Sequence, residues 1–254
     1  MDHSASRRGF VTGSGAAAAS LLIVKPQTAF GSQANSALSL GLIGCGNRGM
    51  YVSSLFAKNE FAKVTAICDI YPDRLTAGRE KYSGAKEFGA YQDMLNSPVD
   101  AVLIATPAFL HPEHLEAAIA ARKHIYCEKP MGVNVFDTHR ILKAASKADP
   151  TKRISCGFQQ RYGKAYQEAW RLVNSGSLGK LLAVRASWIG GGPPVKTGHP
   201  PEQEKIRNWF FYRDFSGDMI VEQDCHNLDV VNWFMGGHPV KANGYGSRAI
   251  RTIG

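Results

Sequence analysis

The stretch LSLGLIGCGNRGMYVSSLFAKN, beginning at Leu38, constrains the fold more than any other. An apolar run from Leu38 to Ile43 enters Gly44-Cys45-Gly46-Asn47-Arg48-Gly49, and a helical pattern follows. Glycines at this spacing let the backbone turn sharply and approach a pyrophosphate, which rests on the N-terminus of the next helix. Strand before and helix after give the loop the context of a dinucleotide site. A second apolar run, KVTAICD, ends on Asp69, 25 positions after Gly44. An acid that holds ribose hydroxyls is expected near there. Asp69 favours NAD, since its charge repels a 2′-phosphate, and Arg74 stands near enough in sequence to leave NADP open.

Strands and helices then alternate. Val99 to Ala105 is a short apolar strand that delivers Thr106 and Pro107, and HPEHLEAAIAARK has helical spacing, with Leu115, Ala118 and Ile119 on one side. HIYC is the next strand and ends on Glu128-Lys129-Pro130; NVFDTHRILKAASKA is a helix and RISCGF a further strand. This alternation predicts a doubly wound parallel sheet in an α/β fold, with ligands bound at the carboxyl ends of the strands. Gly44 to Gly49, Asp69, Thr106, Pro107 and Lys129 all fall at such ends. The residue before a proline is held extended, so Lys129 is aimed rather than loose. His111 and His114 open a helix in the same layer. Residues 32–157 are predicted to form this NAD(P)-binding domain.

Residues 158–254 change character. A helix (QQRYGKAYQEAWRLVNSG) is followed by an expected strand, GKLLAVRASWIGGGPP, and later by a helical pattern from Val221 to Met235 closed by Gly236-Gly237. On that helix Val221, Cys225, Leu228, Val231 and Met235 share an apolar side. Glu222, His226 and Asp229 share another, at i, i+4 and i+7, and Asp224 projects elsewhere. Trp188, Trp209 and Trp233 are read as packing residues, with stacking on sugar rings left open. No nucleophile elbow and no HExxH pattern occurs. Five cysteines with no CxxC argue against a disulfide framework or a zinc site, so buried thiols and no metal are expected. The net charge of +9 is scattered rather than clustered, which points away from nucleic acid.

At the N-terminus, Arg7-Arg8 precede a small apolar run from Gly13 to Val24, and Ala29-Phe30-Gly31 is a plausible cleavage tripeptide. Ser6-Arg7-Arg8-Gly9-Phe10-Val11 resembles a twin-arginine (Tat) export signal, so residues 1–31 are expected to engage the Tat machinery and direct the protein to the periplasm. That route carries proteins already folded, which suits an exported chain with free thiols.

The order of glycine loop, acid after the second strand, T-P…H segment, E-K-P strand end and E-x-x-x-H-x-x-D helix resembles the glucose-fructose oxidoreductase / inositol dehydrogenase (Gfo/Idh/MocA) family, over roughly Leu38 to Gly237. By this resemblance Lys129 and His226 are the central catalytic residues. His111 and Glu128 belong to the cofactor site, and Arg161 in FQQRY matches the arginine of the family's F-N-x-R region. The family commonly has aspartate where this chain has Glu222, and glycine where it has Asp224. Members usually continue well past the final SRAIRTIG. The resemblance therefore implies an α+β substrate domain that is incomplete here, and a homo-oligomer where the full sheet is present.

Oxidising a secondary alcohol sends hydride to nicotinamide and a proton to a base. Histidine suits the proton, and an oriented ammonium stabilises the oxyanion. The sequence thus reads as an NAD(P)-dependent oxidoreductase for a secondary hydroxyl of a sugar, polyol or glycoside, its cofactor retained and recycled because export leaves no soluble pool. Two alternatives stay open: a glycoside hydrolase or lyase working through transient oxidation, and a non-catalytic dinucleotide-binding protein. The oxidoreductase reading requires Lys129 and His226 in one cleft beside the glycine loop. Glu222 or Asp229 is expected within hydrogen-bonding reach of the His226 ring.

Overall fold

The computed structural model describes residues 37–247; the predicted export signal lies outside them. Six strands form one parallel sheet: β1 (Leu38–Ile43), β2 (Ala62–Cys68), β3 (Lys86–Phe88), β4 (Ala101–Ile104), β5 (His124–Cys127) and β6 (Ile154–Cys156), in the order β3-β2-β1-β4-β5-β6. Between them run α1 (Asn47–Phe56), α2 (Pro72–Lys81), α3 (Tyr91–Leu95), α4 (His111–Ala120) and α5 (Val135–Ala145). Buried on both faces, the central strands read as near-continuous apolar runs. Ile43, Ile104 and Cys127 point to one side, with Leu115, Ala118 and Ile119 of α4 and Ile141 of α5. Leu42, Ile67 and Leu103 point to the other, with Val52 of α1. Strand β3 escapes sequence reading because KEF carries two charges in three residues, as an edge strand tolerates. No described helix is long and apolar enough to cross a membrane.

Beyond β6 the described residues form helices and turns. The principal elements are α6 (Lys164–Asn174), α7 (Glu204–Arg207), α8 (Arg213–Ser216), α9 (Asp218–Glu222) and α10 (Cys225–Met235). No strand occurs among the described residues of this half. The segment GKLLAVRASWIGGGPP is not a strand: it has no ladder partner among the described residues, and Leu182 and Ile189 are 87% and 94% exposed. β-propensity becomes a strand only where a neighbour accepts the backbone hydrogen bonds.

The expected helix from Val221 to Met235 is also two helices. In a continuous helix the Glu222 carbonyl would accept from the His226 amide. Here it accepts from the ammonium of Lys129, and the His226 amide turns to the Gln223 carbonyl at 3.3 Å. The apolar side expected on this helix is not buried either: Leu228 and Met235 are half exposed, while His226 is the buried residue of α10.

Candidate functional site

The strand order reverses beside β1, so the loops after β1 and β4 open a crevice at the carboxyl edge of the sheet. Gly44 there has φ +97°, and a Cβ on it would lie 2.7 Å from the Ala105 carbonyl oxygen. A Cβ on Gly49 would come within 2.0 Å of the Gly44 oxygen, while one on Gly46 would meet nothing within 4 Å. Two glycines are therefore demanded by packing and the third leaves an open approach. Helix α1 starts at Asn47 with no side-chain cap, so its first amides are available to an anion such as a pyrophosphate. These features fit a dinucleotide. The Cys45 amide donates to Asp69 Oδ2 at 2.9 Å and the Tyr71 amide to Asp69 Oδ1 at 3.0 Å, so Asp69 ties the end of β2 to the glycine loop. Burial raises the Asp69 carboxyl above its ordinary pKa. Burial also pushes the Cys45 thiol up to about 12, which leaves it a packing residue.

Arg48, inside the loop, reaches across to the strand end that carries Lys129: its Nε lies 3.0 Å from Oε1 of Glu128, a residue only 3% exposed. The Lys129–Pro130 bond is cis. His111 sits beneath this turn with Nδ1 2.6 Å from the Pro130 carbonyl oxygen and Nε2 2.9 Å from that of Thr106. Burial holds the ring below the usual histidine pKa, and a neutral ring donates to only one of those carbonyls. His111 is 1% exposed. The structure thus gives it a brace between the Thr106-Pro107 turn and the Pro130 turn, rather than the cofactor-facing position that the family resemblance implies. His114, buried too, has Nδ1 3.0 Å from Thr106 Oγ1; the solvent-facing pair of histidines that a helix start allows is not formed.

Lys129 meets the second half of the chain through Glu222. Its ammonium donates to Glu222 Oε1 at 2.6 Å and to the Glu222 carbonyl, and both side chains are about nine-tenths buried. His226 follows at the start of α10. Its ring stacks on Trp188 (5.7 Å between centroids, 21°) and meets Phe158 edge-on at 6.1 Å. Burial lowers its pKa to about 4, helped by the charges of Lys129 and Arg48 and opposed by Asp229. Neither carboxylate holds the ring, contrary to expectation. Glu222 is taken by Lys129, Asp229 accepts two hydrogen bonds of 2.8 Å from Arg161, and His226 Nδ1 is buried without a partner among the described residues. Arg161, which the family resemblance places in the cofactor-binding set through the F-N-x-R region, is committed to that pair, with its guanidinium 5.4 Å from the Trp233 ring centroid. Trp188 and Phe158 are the residues around His226 that sequence reasoning did not place. The one signal was a tryptophan in a segment whose partner lies 38 positions away.

A doubly wound parallel sheet with a glycine-turned first crossover, followed by a helical region whose acid and histidine close on the fifth strand, defines an NAD-binding Rossmann protein. The model of the oxidoreductase family with an NAD-binding Rossmann fold (GFO_IDH_MocA) matches residues 38–157, and that of the GFO/IDH/MocA C-terminal domain matches residues 166–254. The chain belongs to the Gfo/Idh/MocA family. It is 28% identical to the myo-inositol 2-dehydrogenase of Thermotoga maritima over 200 residues, covering 78% of this chain and 55% of that one. It is 28% identical to the inositol 2-dehydrogenase of Salmonella typhimurium, covering 78% and 54%. Among solved structures, the WlbA dehydrogenase of Bordetella pertussis, in complex with NADH and UDP-GlcNAcA, has a TM-score of 0.65 at 26% identity over 79% of this chain and 56% of that one. The scyllo-inositol dehydrogenase of Lactobacillus casei with NAD(H) and scyllo-inositol shares the fold, with a TM-score of 0.61 at 24% identity over 79% and 56%. The chain spans about half the length of the curated relatives it matches.

Proposed function

We propose that this protein is an NAD(P)-dependent oxidoreductase acting on a secondary hydroxyl of a polyol, sugar or glycoside. The observation that carries the reading is the Lys129–Glu222 pair, which joins residues 93 positions apart and sets a cation within electrostatic reach of an imidazole whose Nδ1 has no partner among the described residues. Bound nicotinamide would accept the hydride. Lys129, its Nζ fixed by Glu222, stabilises negative charge as it develops on the substrate oxygen. His226, whose pKa near 4 keeps it neutral at pH 7, takes the proton. Charge growing on the oxygen offsets the Lys129 cation that depresses the ring, so the imidazole becomes a better base as the bond breaks. Arg48 and Glu128 hold the loop against the lysine turn, and Asp229 with Arg161 fixes the flank of α10. The inositol dehydrogenases among the relatives make a polyol the first substrate class to try.

The cofactor test is direct. Denaturing the purified protein should release NAD or NADP, identifiable by mass, and a polyol that is a substrate should reduce the bound cofactor in a single turnover. A protein that purifies without a dinucleotide and binds none would overturn the proposal. Cleavage of a glycoside with no oxidised sugar accumulating would favour the redox-neutral alternative.

We also propose export by the Tat route, supported by Arg7-Arg8 and the apolar run behind them. Arg7→Lys with Arg8→Lys will retain the precursor in the cytoplasm. Unchanged export of that variant would disprove it.

A further inference from the structure

His226 is buried at 4% exposure, yet no carboxylate orients it. Its Nδ1 has no partner among the described residues, Glu222 is spent on Lys129, and Asp229 is spent on Arg161. Two aromatic side chains from outside α10 close on the ring instead. Phe158 follows β6, where its amide donates to the Cys156 carbonyl at 2.8 Å and its carbonyl accepts from the Arg161 amide at 3.1 Å, and it meets the imidazole at 87°. Trp188 lies nearly parallel to the imidazole, with centroids 5.7 Å and planes 21° apart. Edge-on and offset-stacked contacts are the arrangements that aromatic rings prefer. The placing of Trp188 is specific within its segment. From Leu182 to Gly198, every residue except Trp188 is exposed. Ordering a segment without regular structure costs conformational entropy, and the indole against His226 is where its side chains recover contact.

We infer that Trp188 is a positioning residue for the proton acceptor: its indole face, with Phe158 at right angles, fixes the plane of the His226 imidazole in place of a carboxylate. The inference rests on the reading of His226 as the base. A base must present a nitrogen within hydrogen-bonding reach of the proton it takes. A carboxylate orients a histidine by accepting from one ring nitrogen and stabilises the imidazolium that forms. Stacked rings fix the plane without occupying a nitrogen, and they exclude water from one face. The electrostatics agree with this geometry. Burial is the largest cause of the lowered His226 pKa, ahead of Lys129 and Arg48, with Asp229 opposing. Trp188 and Phe158 supply part of that burial and bring no charge. Among the other groups against the ring, the Cys225 thiol, pushed up to about 11 by burial, is neutral, and Glu222 and Arg161 are paired. Removing the indole therefore uncovers the imidazole and leaves the charges around it in place.

The test compares Trp188→Ala with Trp188→Phe in the purified full chain. The His226 imidazole is titrated by NMR, its resonance identified by its loss in His226→Ala. In the wild type it should titrate at about 4. In Trp188→Ala the midpoint should rise by about one pH unit or more, toward the roughly 6.5 of a free histidine. Trp188→Phe keeps a ring on the imidazole and should stay close to the wild type. Turnover is read with polyols, myo-inositol first. In Trp188→Ala kcat should fall by about tenfold to 10²-fold, as for a misplaced reacting group, with KM changed by less than about twofold, and Trp188→Phe should recover most of the loss. Unchanged NADH binding reports that the variants are folded. A raised KM with kcat and the titration unmoved would mean that Trp188 touches the substrate instead, and overturns the inference. So does a Trp188→Phe as impaired as Trp188→Ala, or a His226 that titrates alike in all three proteins. Full turnover in His226→Ala, or no polyol turned over by the wild type, removes the reading of His226 as the base, and this inference with it. An inactive His226→Ala beside fully active Trp188 variants removes this inference alone.

Discussion

His226→Ala will keep its dinucleotide and lose about 10²–10⁴ in turnover, the usual contribution of a positioned general base. The expected loss follows from the chemistry assigned to the ring, which is buried, uncharged at neutral pH and free at Nδ1. Lys129→Ala will likewise lose most turnover while NAD(P) stays bound, because the Gly44–Gly49 amides do not depend on it. The two variants differ in their pH profiles. With the imidazole pKa at about 4, the acid limb of kcat/KM should fall near pH 4 rather than near the 6.5 of a free histidine. Lys129 is one of the groups that depress that pKa, so in Lys129→Ala the residual activity should have its acid limb moved to higher pH. A lysine whose charge does not reach the imidazole would not move it. A double variant with near-normal activity, or a limb that stays put when Lys129 is removed, would rule out the pair as the catalytic centre while leaving the fold untouched.

The second large effect is on stability. Glu222→Ala strands the Lys129 ammonium in a site where its side chain is 11% exposed. Breaking one side of a buried ion pair typically costs about 3–5 kcal/mol. The Glu222 carbonyl still accepts from the same ammonium, so the cost should lie toward the lower end of that range. It should appear as a lower denaturant midpoint with an unchanged slope. Glu222→Gln keeps an acceptor and the volume, and should fall between the variant and the wild type. Glu222→Asp tests the chain's departure from the family's common aspartate: the shorter arm should retain part of the stability. A Glu222→Ala protein that unfolds at the wild-type midpoint would show that the pair carries no net stability, and that Lys129 finds another partner in solution.

Both predictions depend on where sequence reasoning stopped. Gly44 to Gly49 were legible because a glycine loop between an apolar strand and a helix has few other uses. The demand at Gly49 is local, set by the Gly44 oxygen, and a positive φ marks Gly44, where a Cβ would also lie within 3 Å of the Ala105–Thr106 backbone at the end of the neighbouring strand. The central strands were legible because a strand buried on both faces must be apolar throughout. Lys129 stood out because a proline fixed it at a strand end.

The pairing of Glu222, His226 and Asp229 was misread for an equally physical reason. Their i, i+4, i+7 spacing gives a shared face only if the helix is continuous, and local periodicity cannot register a competing hydrogen bond from 93 positions away. Lys129 claims both the carboxylate and the carbonyl of Glu222, the helix breaks there, and each carboxylate goes to a cation from the first half or its margin. The same holds for the segment around Leu182, whose apolar residues have strand propensity but no neighbouring edge to pair with among the described residues. By itself the sequence determined the central strands of the sheet and its glycine turn, because those follow from backbone sterics and from burial along contiguous residues. Tertiary structure decided which acid meets which base, because charges and hydrogen-bond donors choose partners by distance in space, and that distance exists only once both halves of the chain have folded against the same edge of the sheet.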